Sequence, residues 1–379
     1  MSGADGAVLL TGATGFVGME LLARYLEKGD RQIVALIRAQ DDAAARDRLD
    51  AVLANLFGRG PDRDRHARRV QAIAAELTAP GLGLSAARRE QLAESVTTIV
   101  HSAASVSFSL PLQEARDINL EGTRRMLEFA DLARQRGGLD RYGHVSTAYI
   151  AGNHDGRFAE CDHDVGQAFH NSYEQSKFEA EALVRSQSGL PFTIMRPSIV
   201  VGDRRSGWTS AFNVLYWPLR AFARGLFEAV PAIPSAPVDV VSIDYVADAI
   251  HELCEHPHGI GETYHLTAGK EASTMWEIAQ LASRYFRRPL PRVLSPADYA
   301  KFAADDCSET QRSAIEGSSV YFPYFSIGAV FDESATRARL EPAGIRVSPL
   351  GDYLERLLDF ATLSRWGKRP ISRVQALMA

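Results

Sequence analysis

Val8-Leu9-Leu10-Thr11-Gly12-Ala13-Thr14-Gly15-Phe16-Val17-Gly18 runs an apolar strand into a glycine-spaced turn and then into an amphipathic helix. The spacing reads as a dinucleotide cradle. Gly12 makes the tight turn, Gly15 lets the backbone approach a pyrophosphate, and Gly18 lets the helix pack closely on the strand. The helix N-terminus then offers free N–H groups and the positive end of its dipole to the phosphates. Met19, Leu22, Tyr25 and Leu26 recur at helical spacing, and Gly29 stands where a stop is expected. A glycine triplet alone also fits an ordinary strand-turn-helix connection; the flanking strand and helix favour the nucleotide site.

Outward from this stretch, Ile33 to Ile37 is a short apolar run of the kind buried on both faces of a parallel sheet, and Arg38 follows it directly. An acid there would suit the ribose hydroxyls of NAD, whereas an arginine suits the 2′-phosphate of NADP; Asp41 comes three residues later. Residues 39–70 form an Ala/Arg/Asp-rich helical insertion broken at Gly58-Arg59-Gly60-Pro61, with Arg48 able to return to the same phosphate and the Arg59 to Arg69 run expected as a solvated loop. Further strands are expected at Ala72 to Leu77, at Thr97 to Val100 ending in His101-Ser102-Ala103-Ala104, and at a segment ending His144-Val145-Ser146-Thr147. Small residues at a strand's carboxyl end leave room for a cofactor. His101 reads as a packed histidine. A helix over Ile118 to Ala133 carries Asn119, which can bond backbone or water near the active centre. Strand and helix alternate five times, the pattern of a doubly wound parallel sheet.

Tyr173 and Lys177 are four apart, so a helix there puts both on one face. A lysine cation near a phenol favours the phenolate, which predicts a lowered tyrosine pKa and a usable proton donor or acceptor. Phe192 to Met195 is the sixth strand, ending in Arg196-Pro197-Ser198-Ile199, whose backbone suits a nicotinamide carboxamide. Beyond Asp203 the alternation breaks. Residues 208–235 carry Phe212, Tyr216, Leu219 and Phe222 at helical intervals, which fits an apolar lid or a helix packed on the core. Val238 to Ile243 returns as a strand, Asp244 is placed to cap the next helix, Thr263 to Leu266 is another strand, and Thr274-Met275-Trp276-Glu277 has the form of a capping box. Tyr353, Leu354, Leu357 and Leu358 mark a last helical stripe.

Of 379 residues 46% are apolar, and the net charge of −5 gives no reason to expect a nucleic-acid partner. Cys161, Cys254 and Cys307 lie far apart without metal spacing, which argues against a disulfide framework and fits a reducing compartment; no metal site is visible. No segment has the eighteen or so uninterrupted apolar residues of a membrane span, and the amino terminus lacks the form of a secretory leader, so a cytoplasmic protein is expected. The expected fold is α/β, a Rossmann-like doubly wound parallel sheet (1–203 with 236–268) and a smaller, mostly helical substrate-binding part (204–235 with 269–379).

Thr11 to Gly18, Tyr173 to Lys177 and Arg196-Pro197-Ser198 together resemble the extended short-chain dehydrogenase/reductases. Within them the chain is most similar to fatty acyl-CoA reductases and to the thioester reductase domains of carboxylic acid reductases and nonribosomal peptide synthetases. That closer likeness rests on Ala35-Leu36-Ile37-Arg38 with Arg48-Leu49, Leu82-Gly83-Leu84-Ser85, Val100 to Ala104, Ile118 to Thr123 and His144 to Tyr149, and covers residues 8 to about 268. The resemblance implies a catalytic triad of Thr147, Tyr173 and Lys177, with Ser146 the alternative hydroxyl. It implies NADPH held by Thr11, Gly12, Thr14, Gly15, Phe16, Val17, Gly18, Arg38, Arg48, Ser102, Ala103, Ala104, Asn119, Pro197, Ser198 and Ile199. Glu76-Leu77 departs from the family, which usually has an aspartate before the leucine beside the adenine; the longer acid is still expected to accept from the adenine amino group. The implied reaction is reduction of an acyl thioester, on coenzyme A or an acyl carrier protein, to an aldehyde and, with a second hydride, an alcohol. No adenylation segment is evident, so the acid is expected to be activated on another protein. Two other readings remain open: an extended family member acting on a nucleotide sugar or sterol-like alcohol, and an NADPH-binding redox sensor, against which the intact Thr147, Tyr173 and Lys177 weigh.

Overall fold

A computed structural model of the chain describes residues 6–378 except 213, 257, 306–307, 310, 312–315 and 317–318; Cys307 lies outside the described residues. Seven strands form one parallel sheet: β1 (Ala7–Thr11), β2 (Ile33–Ile37), β3 (Val70–Ala74), β4 (Val96–His101), β5 (Arg141–Val145), β6 (Phe192–Pro197) and β7 (Thr263–Leu266), in the order β7-β6-β5-β4-β1-β2-β3. The order reverses between β1 and β4, so the chain leaves these two strands toward opposite sides and opens a crevice at their carboxyl ends. Thr11 and His101 are paired across that seam.

The central strands are continuous apolar runs because helices cover both faces. Val8 and Leu10 join one buried cluster with Leu22, Tyr25 and Leu26 of helix α1 (Phe16–Lys28), while Leu9 joins a second with Met126, Phe129 and Ala130 of the helix Gly122–Arg136. The sequence period and the sheet pleat therefore agree: alternate β1 residues feed alternate layers.

A third core gathers Phe158, Tyr216, Leu219, Phe222, Ile278, Phe325 and Leu357 from distant stretches of chain. Small two-strand pairs bind it: Gly156–Phe158 with Ala329–Phe331, and Ala229–Pro231 with Arg292–Leu294. The final helix, Arg373–Met378, returns to the nucleotide half. Arg373 pairs there with Glu20 at 2.7 Å and Glu27 at 2.9 Å. Among the described residues no helix is long and apolar enough to cross a membrane, and no His/Cys/Asp/Glu group could hold a metal.

Several local expectations need correction. Strand β3 ends at Ala74, which leaves Glu76 and Leu77 on the loop beyond it. The Arg59 to Arg69 stretch is a short helix, Pro61–Ala67, opened by Pro61 in its first turn, and Arg69 donates to the carbonyls of Tyr25, Leu26 and Arg31. The helical stretch expected from Ile118 starts at Leu112 and contains a π turn over Asp117–Glu121, where the Thr123 hydroxyl takes the Asn119 carbonyl at 2.6 Å. Asp244 lies inside the first turn of Ile243–Glu255 behind the N-cap Ser242, and binds the Arg204 amide and guanidinium at 3.0 and 2.8 Å. Phe212 precedes the helix Tyr216–Ala223, whereas Tyr216, Leu219 and Phe222 are its buried face. The capping box forms as read: Thr274 accepts from Glu277 N and Glu277 from Thr274 N.

Candidate active site

The crevice is a cavity of about 740 Å³, within the ordinary size of a ligand site. Its floor is the glycine turn. Gly12 has φ +78°, and a Cβ there would meet Ala103 N at 2.9 Å; a Cβ on Gly18 would lie 2.0 Å from Gly12 O. Strand β1, the β4 loop and α1 thus meet at a distance only glycine permits. Gly15 is the N-cap of α1 and gives no side-chain cap, so the first-turn amides have no side-chain cap of their own, and Phe16, Val17 and Gly18 of that turn line the cavity. An open, side-chain-free helix N-terminus of this kind fits a pyrophosphate.

Of the residues singled out from sequence, Gly12, Thr14 to Gly18, Arg38, Arg48, Glu76, Leu77, Ser102 to Ala104, Ser146, Thr147, Tyr173, Lys177 and Pro197 to Ile199 all line this one cavity. Arg48 bridges the Arg38 carbonyl and the Thr14 hydroxyl, which joins the strand tip to the glycine turn. Asp41 is occupied elsewhere: its carboxylate caps the helix Asp42–Phe57 by accepting from Ala44 N at 2.8 Å. Glu76 accepts from the Thr78 amide and hydroxyl at 3.2 and 3.0 Å.

Thr11 and Asn119 do not line the cavity; they build its frame. The Thr11 hydroxyl oxygen accepts from the amides of Ser102 and Ala103, both at 3.1 Å, so its own proton turns to His101 Nδ1 at 2.8 Å. His101 Nε2 then donates to Thr123 Oγ1 at 3.2 Å, and Thr123 donates to Asn119 O. Asn119 grips both the amide and the carbonyl of Ser105 and donates to Ser176 Oγ at 3.0 Å, while Ser176 donates to Tyr173 O at 3.0 Å. One directed chain of bonds therefore runs from the nucleotide turn to the helix that carries Tyr173. It requires a neutral imidazole. Burial, helped by the Lys177 charge, supplies that by pushing His101 down to about 3.

Tyr173 and Lys177 sit in the helix Ser172–Arg185, started by the Asn171 side chain, which accepts from Glu174 N at 3.0 Å. The Tyr173 phenol and the Thr147 hydroxyl line the same cavity, and the hydroxyl eases the phenol's ionisation. Here the expected lowering of the phenol is overturned. Burial raises Tyr173 to about 12, opposed by the Thr147 hydroxyl and helped by the adjacent Glu174 charge. Lys177 does not counter this, because its ammonium donates to the Val145 carbonyl at 2.8 Å and is itself drawn down to about 8 by burial, with Glu181 opposing. At neutral pH the phenol keeps its proton.

The two adjacent hydroxyls are separated by their partners. Ser146 donates to Glu181 Oε2 at 2.6 Å. Glu181 is fully buried; burial would raise its carboxyl, but Arg196 at 2.6 Å, Arg185 and Ser146 bring it to about 2. Thr147 keeps only long contacts, accepting from Tyr149 N at 3.2 Å and donating to Pro197 O at 3.4 Å. Sequence reasoning missed the far wall: Phe108, Tyr149, Tyr321 and Tyr324. The Tyr149 position stood in a quoted motif, but nothing local marks Tyr321 and Tyr324, which reach the cavity through tertiary folding.

A parallel sheet with this glycine turn at its switch point, above a cavity that Thr147, Tyr173 and Lys177 also line, defines an NAD(P)-binding protein of the Rossmann type. The chain belongs to the male sterility protein family of NAD-binding proteins, whose model matches residues 10–250. It is 30% identical over 276 residues to the non-canonical nonribosomal peptide synthetase cpsA of Aspergillus campestris, covering 69% of this chain and 26% of that one. It is 30% identical over 326 residues to fatty acyl-CoA reductase 1 of Pongo abelii, covering 76% and 62%. The chain thus spans about a quarter of the length of the first and under two thirds of the second. The terminal R domain from the myxalamid PKS-NRPS biosynthetic pathway superposes with a TM-score of 0.83 at 26% identity, over 98% of this chain and 94% of that domain.

Proposed function

We propose that this chain is a cytoplasmic NADPH-dependent thioester reductase that converts an acyl thioester, on coenzyme A or on the phosphopantetheine of an acyl carrier protein, into an aldehyde and a free thiol. The observation that carries the reading is the Thr147-Tyr173 hydroxyl pair with Lys177, lining the same cavity as the glycine turn. The relatives named as fatty acyl-CoA reductase and as peptide synthetases support the thioester class. Arg38 and Arg48 beside Thr14, with Asp41 committed to a helix cap, support NADPH over NADH. We assign substrate binding to 204–235 with 269–379, and cofactor binding to 1–203 with 236–268.

The glycine turn with Arg38 and Arg48 would hold the dinucleotide, which when bound would supply a hydride to the thioester carbonyl carbon. The oxyanion that develops is met by the Tyr173 phenol and by the Thr147 hydroxyl, whose proton turns from its long contact with Pro197 O. Tyr173, held protonated by its burial, gives the proton. Lys177, anchored by the Val145 carbonyl one turn away on the same helix face, offsets the phenolate left behind. The hemithioacetal then breaks its C–S bond and releases aldehyde and thiol.

The test is product analysis with NADPH and a panel of thioesters on coenzyme A and on a loaded carrier protein. Aldehyde with an equal amount of thiol supports the reading; alcohol in its place adds the second reduction. Absence of thiol release from every member, or interconversion of a nucleotide sugar without net NADPH use, contradicts it.

A further inference from the structure

Tyr324 comes from a stretch of chain 150 residues away from the helix that carries Tyr173, yet it lines the same cavity. Its ring is fixed on two sides. It stacks on Phe108 at 5.3 Å between centroids with planes 24° apart, and meets Tyr149 edge-on at 4.8 Å. Phe108 in turn lies 5.7 Å from Tyr173, so the wall adjoins the reacting group.

The hydroxyl is fixed as firmly. It donates to Glu174 Oε1 at 2.6 Å and accepts from Asn171 Nδ2 at 2.8 Å. Glu174 is fully buried, and its other oxygen receives the His170 amide and ring nitrogen at 2.8 and 3.1 Å. Asn171 is the N-cap of the Tyr173 helix. If the ring swung away, the buried Glu174 carboxylate and the half-buried Asn171 amide would each lose a partner, a cost that holds it in place. Glu174 also replaces the usual capping-box bond to the N-cap amide with bonds to His170 and Tyr324, so the turn bearing Tyr173 is tied directly to the carboxy-terminal segment.

Past this wall the cavity opens to solvent at Val106, 62% exposed, and Val320, 42% exposed. A fixed ring on one side and an open apolar mouth on the other admit a narrow group beside the reacting carbonyl. The one proton of the Tyr324 hydroxyl is committed to Glu174, so an acceptor on the substrate gains no donor from it.

We propose that Tyr324 is the specificity-determining residue of the site: held by Glu174 and Asn171, it selects thioesters whose acyl group is apolar and unbranched next to the carbonyl. This rests on the thioester reading above.

The test compares kcat/KM for butyryl-coenzyme A and its branched isomer isobutyryl-coenzyme A in the wild type, Tyr324→Ala and Tyr324→Leu. The wild type is expected to prefer butyryl-coenzyme A, and the Ala variant to shift the ratio toward the branched isomer by about tenfold or more, since one misplaced methyl group spans about 10–200-fold in an apolar site. Tyr324→Leu shifts it less, and decides the matter if the Ala variant does not fold. A ratio unchanged in every folded variant, with both substrates slowed alike, overturns the selection role and leaves thioester reduction standing. A wild type that reduces no thioester at all overturns both.

Discussion

The two sides of the cavity are made by different means. On the nucleotide side the wall is largely backbone: a turn, a helix end and a strand tip drawn from Gly12 to Arg38, with a second short contribution from Ser102 to Ala104. On the substrate side it is aromatic side chain: Phe108, Tyr149, Tyr321 and Tyr324, from segments up to more than two hundred residues apart. Backbone walls constrain sequence tightly and locally, because a single Cβ at Gly12 or Gly18 would collide with main chain. Side-chain walls ask only that some ring of suitable size arrives. A fold built in this way keeps its cofactor constant while its substrate is free to vary.

The sharpest break of that contrast is at the seam, where both sides depend on Thr147. Thr147→Ala removes an oxyanion donor and is expected to lower kcat by roughly 100–1,000-fold with little change in NADPH affinity. Equal loss of cofactor binding, measured by fluorescence titration, would show that the hydroxyl serves the nucleotide side instead. On that side alone, Arg38→Ala is expected to weaken NADPH binding by about 10–100-fold and to leave NADH nearly unchanged, given about 1.5–3 kcal/mol for a hydrogen bond to a charged group. An equal loss for both dinucleotides would assign Arg38 no phosphate.

Ser146→Ala separates the two neighbouring hydroxyls. It is expected to cost about 1–2 kcal/mol of stability, because Glu181 loses a buried donor, while turnover stays within a few-fold of wild type. Denaturant unfolding beside the NADPH assay checks both parts; a drop in turnover matching Thr147→Ala would make Ser146 the reacting hydroxyl. The smallest effect is electrostatic. Lys177 is drawn from its usual range to about 8 by burial, so between that pH and its unfolded value the unfolded chain binds the extra proton. Cofactor-free wild type is therefore expected to gain stability relative to Lys177→Met as pH rises through this window. No relative gain would show that Lys177 is not desolvated.

The same contrast explains what the sequence made legible. The alternation of strands and helices along the chain, the glycine turn and the four-residue Tyr173-Lys177 spacing are local patterns, and each corresponds to elements that line or frame the cavity. Tyr324 has no local signature, since its role comes from Glu174 and Phe108, far away in the chain. Asn119 and Thr11 were marked by motif, but their place behind the cavity depends on His101, whose two ring nitrogens connect them. The Tyr173 phenol was misjudged for a physical reason: helix spacing brings a lysine near, but it says nothing of the Val145 carbonyl that takes the lysine, or of the burial that dominates the phenol.

The most direct measurement of the central claim is the stoichiometry of NADPH oxidised, aldehyde formed and thiol released by the wild type and by Tyr173→Phe, with NADPH affinity measured in both. The account predicts equal amounts of all three in the wild type when reduction stops at the aldehyde. In the variant it predicts a rate lower by roughly 100–10,000-fold, the contribution of a positioned general acid, with NADPH still bound. Undiminished turnover in Tyr173→Phe, or NADPH oxidation without thiol release in the wild type, would contradict it.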